Sequence, residues 1–267
     1  MVKNTIAAPD TADEHVSSDT SKALFTANYA VRYSETGADG RLKPGAIFNY
    51  LQDAAGDHAA LLGVSSGDLI QSGLGWVLHQ YSLHIDRYPS LNENIEVRTW
   101  RQTHRRLYEL REFDVRNGSG RKIAHAKSSW ILIHLGSRRP LRLDRNLPAL
   151  ACGCEKDITW TFRPPEVPTR IDREALLPVR RHDLDVNRHA NNAVFVQWAI
   201  DTVPRETADG CSPREIDVLF QAEALEDDFI RSQVCRIDDS DDQNVYLHRI
   251  LHAETGRELS RLRSSWR

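Results

Sequence analysis

Apolar positions in the first part of the chain change from a period of two to a helical spacing. Residues 24–33 alternate apolar and polar side chains, which is typical of a strand, and 35–41 form a glycine-containing turn. Apolar residues then recur every three or four positions up to Leu62, where Gly63 ends the pattern. This spacing predicts a long helix with Pro44 in its first turn. The wide apolar arc predicts that other structure surrounds the helix.

Four runs with strand character follow this helix. A short helix is expected at 67–71, and strands are expected at 75–85, 94–104, 107–117 and 121–134. The connections between these runs are short, so consecutive strands are predicted to pair in the antiparallel sense. The first half of the chain is therefore predicted to be α+β, with one curved sheet around one long helix.

The second half repeats this pattern at an offset of 148 positions. The offset places Val179 on Val31 and Trp198 on Tyr50 without a gap, and it keeps the apolar periodicity in register. The repeat predicts a strand, a helix and four further strands at 175–181, 192–206, 215–222, 229–237, 244–253 and 258–266.

A polar loop at 181–191 separates the strand and the helix of the second copy. Asp183, Asp185, Asn187 and His189 alternate with other residues, so an extended backbone would project all four side chains to one side. The first copy has Asp39 and Arg41 where the second has Asn187 and His189. Only the second copy is therefore equipped for chemistry, and the N–H groups of the following helix could stabilise developing negative charge there.

The same loop also has an ordinary structural interpretation, because Asp and Asn are common in capped turns. For Asn191 and Asn192 we favour the role of helix caps. Asp183 is open between a functional role and an ion pair with Arg180 or Arg181.

Metal sites are excluded by the residues at the ligand positions. A calcium loop beginning at Asp183 would need glycine where Arg188 stands and glutamate where Val194 stands. No metal and no cofactor is expected.

Composition and charge restrict the remaining classes. A net charge of −3 gives no electrostatic reason to expect nucleic acid, and no apolar run is long enough to span a bilayer. The polar N-terminus carries no hydrophobic signal core, so residues 1–22 are expected to be a disordered leader and the protein to be cytoplasmic. The cysteines are expected to be reduced and structural: Cys152, Cys154, Cys211 and Cys235.

The order of elements and two motifs resemble the acyl-acyl carrier protein thioesterases, which are tandem hotdog proteins. The motifs are Asp-Leu-Asp-Val-Asn-Arg-His-Ala-Asn-Asn at 183–192 and Phe-Gln-Ala-Glu at 220–223, and the resemblance extends over nearly the whole chain from about residue 24. It implies an Asp-x-Asn-x-His loop in the second hotdog and a Glu on a following strand. The matching positions are Asp185, Asn187, His189 and Glu223.

The resemblance implies hydrolysis of the thioester of fatty acyl-acyl carrier protein, which releases free fatty acid and terminates chain elongation. Plant members often carry Cys after the Glu, whereas this chain has Ala224, which favours water as the attacking group. The chain shows no organellar transit peptide and resembles the bacterial members in this respect.

Roles within the site follow from what thioester hydrolysis needs, namely a base for water and donors for the oxyanion. Glu223 is expected to be the base or the anchor of the attacking water. Asn187 would position water or polarise the carbonyl, and His189 would share the base role or orient the water. Asp185 would hold Asn187 or the loop.

The domains are expected at 23–150, an N-terminal hotdog that binds the acyl chain, and at 171–267, a catalytic C-terminal hotdog, with a linker at 151–170. By resemblance the acyl tunnel lies mainly in the first hotdog, with Trp76 and Leu78 as wall residues.

The expected partner is acyl carrier protein with its fatty acyl chain. Because that carrier is acidic, a basic patch should bind it: Arg138, Arg139, Arg180 and Arg181. An acyl-CoA thioesterase on the same fold and a non-catalytic acyl-binding or regulatory hotdog protein stay open as alternatives. A monomer with pseudo-dimeric halves and a homodimer are both compatible with the repeat.

Overall fold

The structure is a computed structural model that describes residues 22–102, 106–148, 162–238 and 244–267. Residues 1–21 of the predicted leader, most of the predicted linker, and Cys152 and Cys154 lie outside the described residues. Cys211 and Cys235 are free thiols, as expected. No helix of the described ranges is long and apolar enough to cross a membrane.

In the first half, one strand precedes a long helix along the chain and the other strands follow it. The helices are α1 (Pro44–Leu61), α2 (Ser66–Ile70) and α3 (Leu143–Asn146). The strands are β1 (Leu24–Ala30), β2 (Leu74–Ile85), β3 (Asn94–Arg101), β4 (Tyr108–Asn117), β5 (Lys122–His134) and β6 (Arg139–Pro140). Gly63 has φ 71°, a left-handed conformation that favours glycine, and it follows the end of α1 as the sequence predicts.

The second half repeats this order with a shorter central helix. Its helices are α4 (Asn192–Asp201) and α5 (Arg205–Gly210). Its strands are β7 (Arg173–Pro178), β8 (Pro213–Phe220), β9 (Phe229–Asp238), β10 (Asn244–His252) and β11 (Glu258–Trp266).

One antiparallel sheet runs through both halves of the described chain. Its strand order is β1-β3-β4-β5-β2-β8-β11-β10-β9-β7, and β6 pairs with β5 off this path. The two halves meet where β2 pairs with β8, with Leu83 opposite Ile216. The order is symmetric about this junction, since each strand of one half has its repeat partner at the same distance on the other side.

The repeat is also preserved in the connection between first strand and helix. Both halves have a single 3₁₀ turn there, Tyr33–Glu35 in the first and Arg181–Asp183 in the second. An acid closes each turn: Glu35 accepts from the backbone N–H of Arg32 at 3.1 Å, and Asp183 accepts from that of Arg180 at 2.8 Å. The 148-residue repeat predicted from apolar spacing is therefore confirmed at this level of detail.

The two helices lie against the sheet and against each other. The core side of α1 is buried through residues such as Ile47 and Leu51, each of which contributes about 1.5–3 kcal/mol when fully buried. A Cβ on Gly45 would lie 3.0 Å from Oε1 of Gln197 and 3.6 Å from the carbonyl oxygen of Ala193, so glycine permits the close approach of α1 and α4. The predicted α+β fold of two hotdog units is confirmed.

The first strand and the helix of the second half end earlier than the sequence predicts. The helix expected at 192–206 ends at Asp201, because Pro204 cannot donate a backbone hydrogen bond and disfavours helical geometry in the residue before it. The strand expected at 175–181 is β7, which ends at Pro178. The following residues turn into the 3₁₀ segment that leads to the polar loop.

Candidate active site

The polar loop is a tight turn held by the carboxylate of Asp185. Its Oδ1 accepts from the backbone N–H of Asn187 at 2.8 Å and from that of His189 at 3.3 Å, and its Oδ2 lies 3.5 Å from Nδ2 of Asn187. Arg188 has φ 64°. The extended backbone expected from the alternating pattern is therefore wrong, because the Asp side chain competes successfully for the local N–H groups.

Backbone hydrogen bonds fix where this turn points. The N–H of Asp185 donates to the carbonyl of His189 at 2.8 Å, which closes the turn. The N–H of Ala190 donates to the carbonyl of Ala224 at 2.9 Å, and His189 forms an isolated bridge with Leu225. These bonds bring the loop beside the segment that contains Glu223, 34 residues further along the chain.

His189 and Glu223 meet at this junction. Nε2 of His189 lies 3.5 Å from Oε2 of Glu223, and both side chains are about one third exposed. Arg138, from the turn between β5 and β6 of the first half, donates from Nη2 to the same Oε2. Glu223 was expected on a strand, but it lies three residues beyond the end of β8, where the chain has left the ladder.

Asn191 is the N-cap of α4, as predicted, since its Oδ1 accepts from the N–H of Ala193 at 2.9 Å. Asn192 is the first residue of that helix. Asp183 is buried and caps the 3₁₀ turn through the backbone of Arg180, while its Oδ1 lies 3.4 Å from Nε2 of His182. Asp183 therefore has a structural partner in the backbone.

A cavity of about 900 Å³ begins at this loop and extends into the first half. Asp185 and Asn187 line one side, and α1, β2 and β5 contribute most of the rest. Trp76 and Leu78, the proposed wall residues, are both in its lining. Nε1 of Trp76 donates to the carbonyl of Val64 at 2.9 Å, so the ring has a fixed orientation. His189 and Glu223 are not among the lining residues, but His189 belongs to the loop that contributes Asp185 and Asn187 to the lining.

A charged cluster that sequence reasoning missed forms another wall of the cavity. Arg101, Glu109 and Arg111 line it, and each has 5 % exposure or less. Nη2 of Arg101 donates to Glu109 at 2.7 Å, and a second bond joins Nε of Arg101 to the same carboxylate. The alternation of side chains along β3 could have indicated this cluster. It places Arg101 on the same inward face as Val97, where an apolar residue is expected.

Arg111 has a different set of partners. Its Nη1 donates to Nδ1 of His58 at 2.8 Å and to Oγ1 of Thr99 at 3.1 Å. Nε2 of His58 lies 2.8 Å from the carbonyl of Lys22, so His58 is the tautomer that donates from Nε2 and accepts at Nδ1. Burial, and then the charge of Arg111, lowers the pKa of His58 to about 4, while burial lowers the pKa of Arg111 to about 10.

The arginines expected to bind carrier protein lie on the surface. Arg139, Arg180 and Arg181 are exposed, and Arg138 is exposed by 56 % although it pairs with Glu223. No group of three or more His, Cys, Asp or Glu is placed to hold a metal ion within the ranges that the structure describes.

Two family models match the chain. Residues 22–150 match the acyl-ACP thioesterase N-terminal domain, and residues 168–267 match the acyl-ACP thioesterase C-terminal domain. The chain is 25 % identical to oleoyl-acyl carrier protein thioesterase 2 of Arabidopsis thaliana, with 91 % of this chain and 76 % of the relative covered. It is 24 % identical to dodecanoyl-[acyl-carrier-protein] hydrolase of Umbellularia californica, with 91 % and 68 % covered.

Solved structures share the fold over almost the full length. An acyl-ACP thioesterase from Bacteroides thetaiotaomicron superposes with a TM-score of 0.80 at 22 % identity, covering 93 % of this chain and 99 % of the other. The 12:0-ACP thioesterase from Umbellularia californica gives a TM-score of 0.76 at 24 % identity, covering 92 % and 94 %.

Proposed function

This chain belongs to the acyl-ACP thioesterase family and is a thioester hydrolase of fatty acyl-acyl carrier protein, and we propose that the reaction takes place at Asp185, Asn187, His189 and Glu223. The observation that carries the site assignment is the contact of His189 with Glu223 at 3.5 Å. It unites two motifs that are far apart in sequence beside a cavity large enough for an acyl group.

In the proposed reaction, Glu223 accepts a proton from water while the water oxygen bonds to the thioester carbonyl carbon. The carbon–sulfur bond then breaks, the carboxylic acid forms, and the thiolate leaves with a proton returned by the Glu223 carboxyl. His189, which faces Oε2 of Glu223, orients the attacking water or shares the proton. Arg138 holds the carboxylate in place, because it donates to that oxygen.

Asn187 and the start of α4 supply the electrostatic part of the mechanism. The amide of Asn187 lines the cavity, where its N–H donors can polarise the carbonyl oxygen or hold the water. Asp185 acts as a positioning residue, since its carboxylate holds the backbone N–H groups of Asn187 and His189. The acyl chain occupies the cavity past Trp76 and Leu78.

The acidic carrier protein docks on the exposed arginines near the mouth, which we propose to include Arg138, Arg139, Arg180 and Arg181. The disordered leader, the division into 23–150 and 171–267, and the cytoplasmic location stay predictions. Monomer and homodimer also stay open.

The function is tested by measuring thiol release from a series of fatty acyl-acyl carrier proteins and from the matching acyl-CoA thioesters. We expect the carrier-protein thioesters to give the higher kcat/KM. Equal or higher values with CoA would support an acyl-CoA thioesterase, and tight acyl binding without thiol release from either carrier would support a non-catalytic acyl-binding protein.

A further inference from the structure

The cavity that is proposed to take the acyl chain has an excess of buried positive charge on one wall. Arg101 and Glu109 neutralise each other in a buried ion pair. His58 contributes no positive charge near neutral pH, because its pKa is lowered to about 4. Arg111 therefore leaves the cluster with one positive charge that no carboxylate contacts directly among the described residues. Isolated buried charge is costly, so an occupant that compensates it is favoured.

The hydrogen bonds of Arg111 leave one edge of its guanidinium group available for binding. In the described part of the chain, its side-chain bonds use only Nη1, toward His58 and Thr99. The Nε and Nη2 donors remain, on a side chain that lines the cavity and is only 5 % exposed. Nε and Nη2 point in parallel from one edge of the guanidinium, and this edge binds a carboxylate through two bonds.

Three further acids line the cavity, but none of them contacts Arg111 in the described part of the chain. Asp53 and Asp57 are exposed residues of α1. The charges that act on Asp53 are those of Asp57, Arg32 and Glu35, and not the arginine cluster. The carboxylate of Asp185 is used by the loop backbone. The positive charge of Arg111 is therefore not cancelled by these groups.

We propose that the preferred acyl group carries an oxygen function remote from the thioester, best a terminal carboxylate, and that Arg111 binds it through Nε and Nη2. This inference rests on the proposed function and adds the substrate class. A chain that ends in a methyl group would cover the guanidinium without replacing its lost hydration, which is unfavourable.

The first test uses the native protein and needs no variant. Acyl-acyl carrier proteins of equal chain length that end in methyl, hydroxyl or carboxylate are compared by thiol release over several lengths. At the length that spans the cavity, we expect kcat/KM for the carboxylate-ended chain to exceed that for the methyl-ended chain by about tenfold or more. A methyl-ended chain that is hydrolysed as well or better at every length would overturn the inference while leaving the proposed function intact.

Variants then assign the preference to one side chain. Arg111→Gln should remove most of the advantage of the carboxylate-ended chain, measured as the ratio of kcat/KM for the two chains in the same variant. Arg116→Gln is the matched control, because Arg116 is on the same strand but pairs with Asp114 instead of lining the cavity. An unchanged preference in a folded Arg111→Gln protein would contradict the assignment.

A binding measurement keeps the inference testable if Arg111→Gln does not fold. The melting temperature of the native protein is measured with a saturated dicarboxylic acid and with the monocarboxylic acid of the same length. We expect larger stabilisation by the dicarboxylic acid, and equal or smaller stabilisation would overturn the inference. This readout does not require turnover, so it distinguishes failure of the acyl-group assignment from failure of the hydrolase assignment.

Discussion

Oε2 of Glu223 receives side chains from both halves of the molecule, Arg138 from the first and His189 from the second. A carboxylate held in this way has a fixed direction, which a base needs in order to take a proton from water. His189 and Glu223 belong to the second half and Arg138 belongs to the first, so the proposed site depends on both hotdog units.

Asp185 is expected to act through the loop and not through the substrate. Asp185→Ala should lower kcat by about tenfold to a hundredfold, because the N–H groups of Asn187 and His189 lose their acceptor. Asp185→Asn keeps one acceptor oxygen and should recover most of the activity. If the Asn variant is as inactive as the Ala variant, the charge of Asp185 is needed and the positioning role is wrong.

His58 makes stability depend on pH. Its pKa falls from 6.5 to about 4 in the folded protein through burial and the charge of Arg111, whereas the unfolded chain protonates near 6.5. Between these values the unfolded state binds more protons, so the free energy of unfolding should decrease as the pH falls from 6.5 toward 4, by up to about 1.4 kcal/mol per pH unit.

His58→Gln should flatten that slope, as measured by urea unfolding at a series of pH values. Gln retains an acceptor for Arg111 and a donor for the carbonyl of Lys22. His182→Gln, at an exposed imidazole, is the control and should keep the native slope. His248 is buried, and its pKa is lowered to about 3. Its protonation therefore also lowers the free energy of unfolding as the pH falls, and this contribution remains in both variants.

The proposed site residues differ in how directly the sequence indicates them. Asn187 and His189 lie two residues apart in one turn, so a fixed spacing is enough to propose them. Glu223 was found only through resemblance, because its approach to His189 depends on the pairing of Ala190 with Ala224. The cluster at Arg111 depends on the registers of β3 and β4 and on helix α1, so local sequence did not reveal it.

At the scale of elements, apolar periodicity located the helices and strands well, and local side-chain chemistry caused the errors. The alternation in the polar loop resembled a strand, but the carboxylate of Asp185 bonds to nearby N–H groups and bends the chain. The helix α4 stops before Pro204 although apolar spacing continues. In both places a hydrogen bond that is made or missing overrides the pattern of burial.

The packing of α1 on α4 gives a test with two glycines of the same helix. Gly45→Val should destabilise the protein by about 1–3 kcal/mol, because its side chain would collide with Gln197 and with the backbone of Ala193. Gly56→Ala should stabilise it by about 0.5–1 kcal/mol, since a Cβ there meets nothing within 4 Å. Chemical unfolding measures both changes, and a tolerated Gly45→Val would contradict the close approach of the helices.

At the scale of the whole molecule, the two halves share a sheet across β2 and β8 and pack through α1 and α4. We therefore expect one cooperative thermal transition, with calorimetric and van't Hoff enthalpies that agree. Two separated transitions would mean that the hotdog units are stable independently and that the shared sheet is weaker than its continuous pairing indicates.

Carrier-protein binding is also a property of the whole surface. Combined reversal of Arg139, Arg180 and Arg181 to Glu should raise KM for the acyl-carrier protein by about tenfold at low salt, with little change in kcat, and the effect should shrink at high salt. Arg205→Glu, at an exposed arginine paired with Asp209, is the control. An unchanged KM would exclude these arginines as the docking surface. Arg138 stays native in this variant because it contacts Glu223.

The most direct measurement is the single-turnover rate of fatty acyl-acyl carrier protein hydrolysis by His189→Ala and Glu223→Gln. Each rate should fall by about a hundredfold or more, while acyl binding and the melting temperature stay close to native. His182→Ala, at an exposed histidine near the start of the same loop, should retain the native rate. Native rates in both His189→Ala and Glu223→Gln would contradict the placement of the reaction at this site.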